Sequence, residues 1–326
     1  MPTFPLRIVA TGVLAAASVA ACGGGASSPL RLAHVYEVTA PTHACGAVDF
    51  VRLLEEAGGP PVQVFPSAQL GHEAELLEQL ATGQLDLAIA GPSFLAAWHE
   101  PMGVLDAVYA FDDLDHQAEF ARSDLARQLW DGLREHHGMR VLDNWAYGER
   151  HITSRRPIRR PEDLRGFRLR LPHARVQQEN GRALGASPMP IAFAEVYLAL
   201  QQGVADGQEN PIVTIKTMGF HEVQTHLNLT GHNQSSTQLV IAERVWEGLT
   251  VEQQSALVNA ARTAAERVRT CIDEADARIL AEWRSAATLQ IVDDVDREAF
   301  RGRAGRHFSS GFSWSELYGR IQRREY

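Results

Sequence analysis

The sequence predicts an α/β protein built from two related lobes, with one long C-terminal helix running across both. Three observations carry this prediction. Apolar strand patterns alternate with amphipathic helical patterns through most of the chain, which argues for lobes with mostly parallel sheets. The pattern L-x-x-G-x-x-D occurs twice, at Leu80–Asp86 and at Leu200–Asp206. No Gly or Pro interrupts the stretch from Val251 to Leu289.

The strand patterns fall at Leu30–Val35, Val62–Phe65, Leu85–Ala90, Arg140–Trp145, Phe167–Leu171 and Pro188–Ala192. Helical patterns lie between them at Ala47–Ala57, Glu73–Thr82, Gln117–His137, Arg175–Leu184 and Ala194–Gln202. In both copies of the repeated pattern a helix stops at a glycine able to take the left-handed cap, Gly83 or Gly203, and a short turn leads onward. The copies read as equivalent units of two related lobes.

Farther on, a strand–helix passage at Gln238–Gly248 returns the chain to the first lobe. Thr250 and Gln253 then make a capping box. From Leu257 through Val268 and Ile272 to Ile279 and Trp283 the apolar residues form a helical stripe. A helix of some 35 residues is about 50 Å long at 1.5 Å per residue, longer than one lobe. The expected boundaries are 30–147 plus about 236–272 for the first lobe, and 148–235 plus about 273–326 for the second.

The first 22 residues read as an export address, not as structure. Arg7 is the only charge before an apolar run, Ile8–Ala21, that is too short to span a bilayer. Val19-Ala20-Ala21-Cys22 is the small-residue pattern that precedes the cysteine of bacterial lipoprotein signals. Cleavage before Cys22 and acylation of its thiol would tether the mature chain through the flexible Gly23–Ser28 leash. An ordinary cleaved signal with an incidental cysteine is the alternative. Cys45 and Cys271 read as two buried small hydrophobes, with a bridge as the other possibility.

Composition narrows the function. Of 326 residues, 45% are hydrophobic and 22% charged, ordinary globular values. A net charge of −9 argues against a nucleic-acid partner. The sequence contains no H-E-x-x-H, C-x-x-C, P-loop or G-x-S-x-G motif, and the glycines at 23–25 follow no strand, so nothing calls for catalysis or a cofactor. The 13 histidines are scattered, and the adjacent His136 and His137 point to different helix faces, so no metal pair is expected.

The arginines are more informative. Nine fall between 150 and 175, and those from Arg155 to Arg165 read as a solvated surface. Arg170 stands apart. In Phe167-Arg-Leu-Arg-Leu-Pro172 the alternation puts Phe167, Leu169 and Leu171 on one face and Arg168 and Arg170 on the other. Pro172 ends the strand. Ligands of open α/β sheets bind beyond the carboxyl ends of strands, so Arg170 is placed to offer a planar, two-pronged donor to a carboxylate.

Several motifs together resemble the solute-binding proteins of tripartite ATP-independent periplasmic (TRAP) transporters, the dicarboxylate-receptor (DctP-like) family. They are Phe65-Pro-x-x-Gln-Leu-Gly71, Trp145-Ala-Tyr-Gly-Glu-Arg-His-Ile-Thr-Ser154, Pro161-Glu-Asp-Leu-Arg-Gly-Phe-Arg-Leu-Arg-Leu-Pro172, and Ile191–Pro211 with its Gly207-Gln-Glu-Asn-Pro211 end. The likeness runs from about Leu30 to Leu229, and more loosely beyond. It implies a periplasmic-binding-protein-like fold holding a small carboxylate between the lobes. It implies a membrane permease as partner and a location outside the cytoplasm. A monomer is expected. Receptors that present a closed form to a membrane sensor kinase are the alternative reading.

The resemblance also assigns roles. Arg170 forms the bidentate bridge to the carboxylate, Arg150 is a second donor, Asn210 hydrogen-bonds the same group, and Phe193 packs against the ligand. For the first lobe, Glu37 and Ser93 are candidates because each follows a strand, and His72 because it opens a helix. Trp145 and Tyr147 are expected to supply an aromatic wall near the hinge. Sialate-binding relatives carry an acid near the position of Gly91; its absence argues against that ligand. Glu37, His72 and Ser93 suit hydroxyls better than a second carboxylate.

Overall fold

The computed structural model describes residues 28–326. The export segment, Cys22 and the tether through Ser27 lie outside the described residues. Nine strands form one continuous sheet: β1 (Leu30–Ala33), β2 (Val62–Phe65), β3 (Leu87–Ala90), β4 (Met139–Ser154), β5 (Arg168–Leu171), β6 (Ser187–Pro190), β7 (Gly207–Pro211), β8 (His226–Ala242) and β9 (Gln290–Val292). The order is β2-β1-β3-β8-β4-β7-β5-β6, with β9 beside β8. Two parallel trios, β2-β1-β3 and β7-β5-β6, therefore flank a central antiparallel ribbon of β4 and β8. Two lobes joined through this ribbon match the expected fold class. Among the described residues no helix is long and apolar enough to cross a membrane.

The repeated L-x-x-G-x-x-D pattern is the same device used twice. Gly83 and Gly203 both cap their helices in the left-handed conformation, at φ +84° and +71°. Asp86 Oδ2 then accepts from the backbone N–H of Arg31 on β1 at 2.9 Å, and Asp206 Oδ2 accepts from that of Arg168 on β5 at 2.8 Å. Each aspartate also donates its own backbone N–H to the carbonyl of that arginine, at 3.2 and 2.9 Å. The acid thus pins the end of its helix–turn to the start of the neighbouring strand, in both trios.

Several elements differ from expectation. The predicted 117–137 helix breaks in two, Leu114–Phe120 and Asp124–His137, because Ser123 caps the second by accepting from Ala126 N. The strand at Arg140–Trp145 extends to Ser154, and β7 and most of β8 carry no apolar alternation. In β8 the run from Thr230 to Gln238 is almost entirely polar yet buried. Hydrogen bonding, not apolar burial, holds these strands: Gln117 Nε2 donates to the Gln234 carbonyl and Asn233 Nδ2 to that of Asp106.

The long helix runs from Val251 to Ala286, 36 residues, with the Thr250–Gln253 capping box in place. Its stripe serves two cores. Leu257, Ala261, Val268 and Ile272 join the main cluster, whereas Ala275, Ile279 and Trp283 join a smaller one under Val196, Leu200 and Phe220. Cys271 on this helix is bonded to Cys45, in the turn that opens the first helix, with Cα atoms 6.6 Å apart. This corrects the reading of two separate buried thiols: far apart in sequence, the two residues are brought together by packing of the long helix on the first. A bridge there suits an oxidising compartment.

Asp276, one turn beyond, accepts from Val213 N at 2.9 Å and so caps the neighbouring Ile212–Thr217 helix. Burial, with a further push from Asp273, raises its carboxyl from 3.8 to about 7. Between those values the folded chain keeps a proton that the unfolded chain has lost. Stability therefore falls as pH climbs from about 4 through 7 and is level above that. An Asn keeps the acceptor without the charge. Asp276→Asn is expected to raise the melting temperature at pH 8 distinctly more than at pH 4.5; an equal shift at both would contradict this account of the group.

Candidate functional site

A cavity of about 440 Å³ lies where the two parallel trios face each other, within the range of small-molecule sites. Its wall is built from chain that follows strands: Val35 and Tyr36 after β1, Gly91 after β3, Pro172 and His173 after β5, and Ile191, Ala192 and Phe193 after β6. These are the carboxyl ends of parallel strands, where main-chain direction changes and side chains converge. The β4–β8 ribbon supplies the floor, including Tyr147, Arg150 and Ser235–Thr237.

Arg170 is the most unusual group in this wall. Leu169 and Leu171 bury into the core, so alternation along β5 turns Arg168 and Arg170 to the other face. Arg168 is half-exposed and pairs with Asp206 at 2.6 Å. Arg170 is 1% exposed. Its Nε and Nη2 both donate to the carbonyl of Ile191, at 3.0 and 2.7 Å. Nη1 is buried without a partner. Burial pulls this guanidinium down to about 10, opposed by the charge of Glu209. It remains a cation at neutral pH, and among the described residues no carboxylate is bonded to it.

Arg150, on β4, has the opposite circumstance. It pairs with Glu209 of β7 through Nη2–Oε1 at 2.7 Å and through Nε–Oε2. Glu209 Oε2 also meets His232 Nε2 at 3.2 Å. Burial alone would lower Arg150 and raise Glu209, but their mutual attraction wins and shifts each the other way, so both stay ionised. Burial also lowers His232, keeping it neutral. Nη2 of Arg150 further donates to Asn210 Oδ1 at 3.1 Å, while Asn210 Nδ2 donates to Gln208 Oε1 at 2.6 Å. The amide of Asn210 is thereby fixed with one N–H still uncommitted.

The structure brings six of the nine sequence-predicted ligand residues together. Arg170, Arg150, Asn210, Phe193, His72 and Tyr147 all line the cavity. Phe193 stands edge-on to Phe220 at 6.4 Å, and Tyr147 bonds its hydroxyl with that of Thr214 at 3.1 Å. Bulges in β4 at Ala146/Gly148 and Arg150/Ile152 flank this segment and re-aim its side chains. Gly148 sits at φ +123°, where a side chain would meet Pro211 at 2.9 Å, so glycine is needed there for β7 to approach.

Three predicted residues do not line it. Trp145 is fully buried on the other side of β4, its ring against Gly46 and Phe50 and its Nε1 donating to the Ala261 carbonyl of the long helix at 3.0 Å. It is core. Glu37 accepts from Ser67 Oγ at 3.1 Å, and its neighbour Tyr36 takes the cavity position. Ser93 gives both its N–H and its hydroxyl to Asp106 Oδ2, at 3.0 and 2.6 Å. It orients a wall residue without forming the wall.

Sequence reasoning missed Glu73, Asp106, Gln177 and Thr237, which do line the cavity. Asp106 had a signal: it is the one charge in the apolar stretch Met102–Phe111. Glu73 looked like an ordinary first-turn helix acid, and Thr237 lay in a strand with no apolar period.

Chemically, the arrangement is a half-open, partly apolar cleft with one buried cation that no carboxylate bonds and several fixed polar groups. Burying such a charge is costly until an anion meets it. Together with the two-lobed fold, this defines a receptor for a small anionic solute. Residues 32–310 match the family model of the bacterial extracellular solute-binding proteins, family 7 (DctP). A solute-binding protein of Roseobacter denitrificans is 37% identical over 300 residues, 90% of this chain and 91% of that one. A crystal structure of a TRAP periplasmic solute-binding protein from Roseobacter denitrificans with bound L-galactonate has a TM-score of 0.83 at 34% identity, covering 90% of this chain and 98% of that chain. One from a Polaromonas species bound to D-erythronate has a TM-score of 0.83 at 30% identity, with the same coverage. The chain belongs to this family: it is a TRAP solute-binding protein, of a family of receptors and not of enzymes.

The Arg150–Glu209 pair makes a stability prediction. Removing one partner of a buried ion pair leaves the other uncompensated, at a cost of about 3–5 kcal/mol. Glu209→Gln is expected to lose that much in urea unfolding of the ligand-free protein. A loss under about 1 kcal/mol would mean that Arg150 reaches water and that the pair is not what fixes it.

Proposed function

We propose that this receptor takes a small organic acid of the hydroxylated, sugar-type class, with its carboxylate on Arg170 and with Arg150 and Asn210 as further donors. The observation that carries the reading is the Nη1 of Arg170, a buried cationic donor with no protein partner. Each charge-assisted bond formed there contributes roughly 1.5–3 kcal/mol net. L-galactonate and D-erythronate, held by the two similar structures, each have one carboxylate and a row of hydroxyls. Phe193 provides an apolar surface along which the carbon chain lies.

Because the wall comes from both trios, its contacts are complete only when the lobes close. A bound solute therefore stabilises the closed state by its differential affinity for it. The closed receptor is what the TRAP permease recognises. In this reading the mature chain acts as a monomer, outside the cytoplasm, anchored by a lipid on Cys22.

Two experiments test these points. In a thermal-shift panel of organic acids, a ligand at 100 times its Kd adds about 2.7 kcal/mol. Arg170→Ala should abolish the shift and leave the ligand-free melting temperature close to that of the parent. A surviving shift in Arg170→Ala would make the residue structural and remove the anchor. For the lipid, cells expressing the full chain are labelled with a clickable fatty acid. The parent should carry label in the membrane fraction, and Cys22→Ala should lose it; an unlabelled parent contradicts the anchor.

A further inference from the structure

Among the described residues, eight buried side-chain polar atoms have no hydrogen-bond partner, and three belong to residues that line this one cavity: Arg170 Nη1, Asp106 Oδ1 and Thr237 Oγ1. Buried polar groups are rarely left unpaired, so their concentration at one place specifies what must come in. Arg170 requires an acceptor with negative charge. Asp106 requires a donor. Its Oδ2 already takes three hydrogen bonds, from Ser93 N, Ser93 Oγ and Gln177 Nε2 at 3.1 Å, and donors of that kind favour its ionised form. The side chain is 3% exposed, so its free oxygen has little access to bulk water.

Glu73 stands beside it. Its Oε1 accepts from Gly91 N at 3.1 Å and from Tyr36 Oη at 3.4 Å, so Oε2 remains for the cavity. A side-chain carbon placed on Gly91 would lie 3.6 Å from Glu73 Oε1 and 4.0 Å from Asp106 Oδ2. The two acids therefore lean over the same glycine. Burial raises both, Glu73 to about 7; the charge of Asp106 adds to the rise of Glu73, and that of Glu209 to the rise of Asp106. The cavity thus has a cation, Arg170, on the wall of the β7-β5-β6 trio and two acids, Glu73 and Asp106, over Gly91 on the wall of the β2-β1-β3 trio, with the unpartnered Thr237 hydroxyl of β8 in its lining.

We propose that Glu73 and Asp106 are the specificity-determining residues of this receptor. They accept hydrogen bonds from hydroxyls remote from the carboxylate, and they exclude acids that carry a second carboxylate at that end. This rests on the reading of the cavity as the solute site. A monocarboxylate with distal hydroxyls satisfies Arg170, Asp106 and Thr237 together. A dicarboxylate of the same length satisfies Arg170 but brings a charge against two acids, and like charges brought together in a binding site cost several kcal/mol.

The test uses matched pairs that differ only in the terminal group: L-galactonate against galactarate, and D-erythronate against meso-tartrate, measured by calorimetry on the mature chain. At least one hydroxylated monocarboxylate should bind, about 100-fold more tightly than its dicarboxylate counterpart. At pH 8.5, above the value of about 7 to which burial raises Glu73, Asp106→Asn and Glu73→Gln should each weaken that monocarboxylate about tenfold and shrink the discrimination, since a charged acceptor becomes a neutral one. Glu73→Gln guards against misfolding of the more deeply buried Asp106 variant. Equal affinity for the members of a pair, or unchanged discrimination in both variants, overturns the proposal while Arg170 stays the anchor. Binding that survives Arg170→Ala fails the underlying receptor reading instead. If none of the four acids binds the parent chain, both are refuted.

Discussion

Arg170 is held by a carbonyl where a carboxylate would ordinarily be found. Two of its donors share the Ile191 oxygen, and the third points into a chamber that offers it nothing. The rest of the structure is arranged around that unfinished bond. Strand β5 must bring the side chain to its carboxyl end, β6 must stop so that Ile191 is free to clamp it, and the ribbon must close the floor without contributing an anion. Arg150 lies in the same wall but is neutralised by Glu209, so the site has two guanidinium groups with a single uncompensated charge. A receptor with both cations free would pay a larger burial cost and would favour dianions.

The division of labour between the arginines explains why the polar strands are placed centrally. β7 reads Gly-Gln-Glu-Asn-Pro and is fully buried, and the middle of β8 is as polar. Such residues are tolerated inside only when each finds a partner. Most partners here are mutual, Gln208 with Thr153 and Asn210, Glu209 with Arg150 and His232, Asn228 with Ser154 and the Ile152 carbonyl, while Thr237 Oγ1 and Gln238 Oε1 stay unpaired. The network stiffens the floor beneath the cavity while the apolar cores flank it. The disulfide from Cys45 to Cys271 and the long helix fasten the outside of the same region.

The sequence revealed the parts of this architecture that rest on apolar periodicity or on punctuation. Strand β2, the helices Glu73–Thr82 and Arg175–Leu184, and the capped long helix were legible because hydrophobic spacing and glycine stops coincide there. Arg170 was legible because it interrupts an alternation just before a proline. β7 and β8 were not, since their residues are buried for hydrogen bonding and carry no apolar period. Trp145 misled for a related reason: two residues before Tyr147, it would share a face with it on a regular strand, but a bulge in β4 intervenes, and the tryptophan packs under the long helix. Asp106 and Glu73 lie far from Arg170 in sequence, and only the fold places them in one cavity. The pairing of Cys45 with Cys271 is of the same kind.

What the account requires above all is that the solute completes the coordination of Arg170. A crystal structure of the mature chain with a bound aldonate tests this directly. The expected result is a carboxylate oxygen about 2.7–2.9 Å from Arg170 Nη1, with the Ile191 clamp retained. A bound acid whose carboxylate lies on other groups, with Nη1 of Arg170 still unpaired, would contradict it.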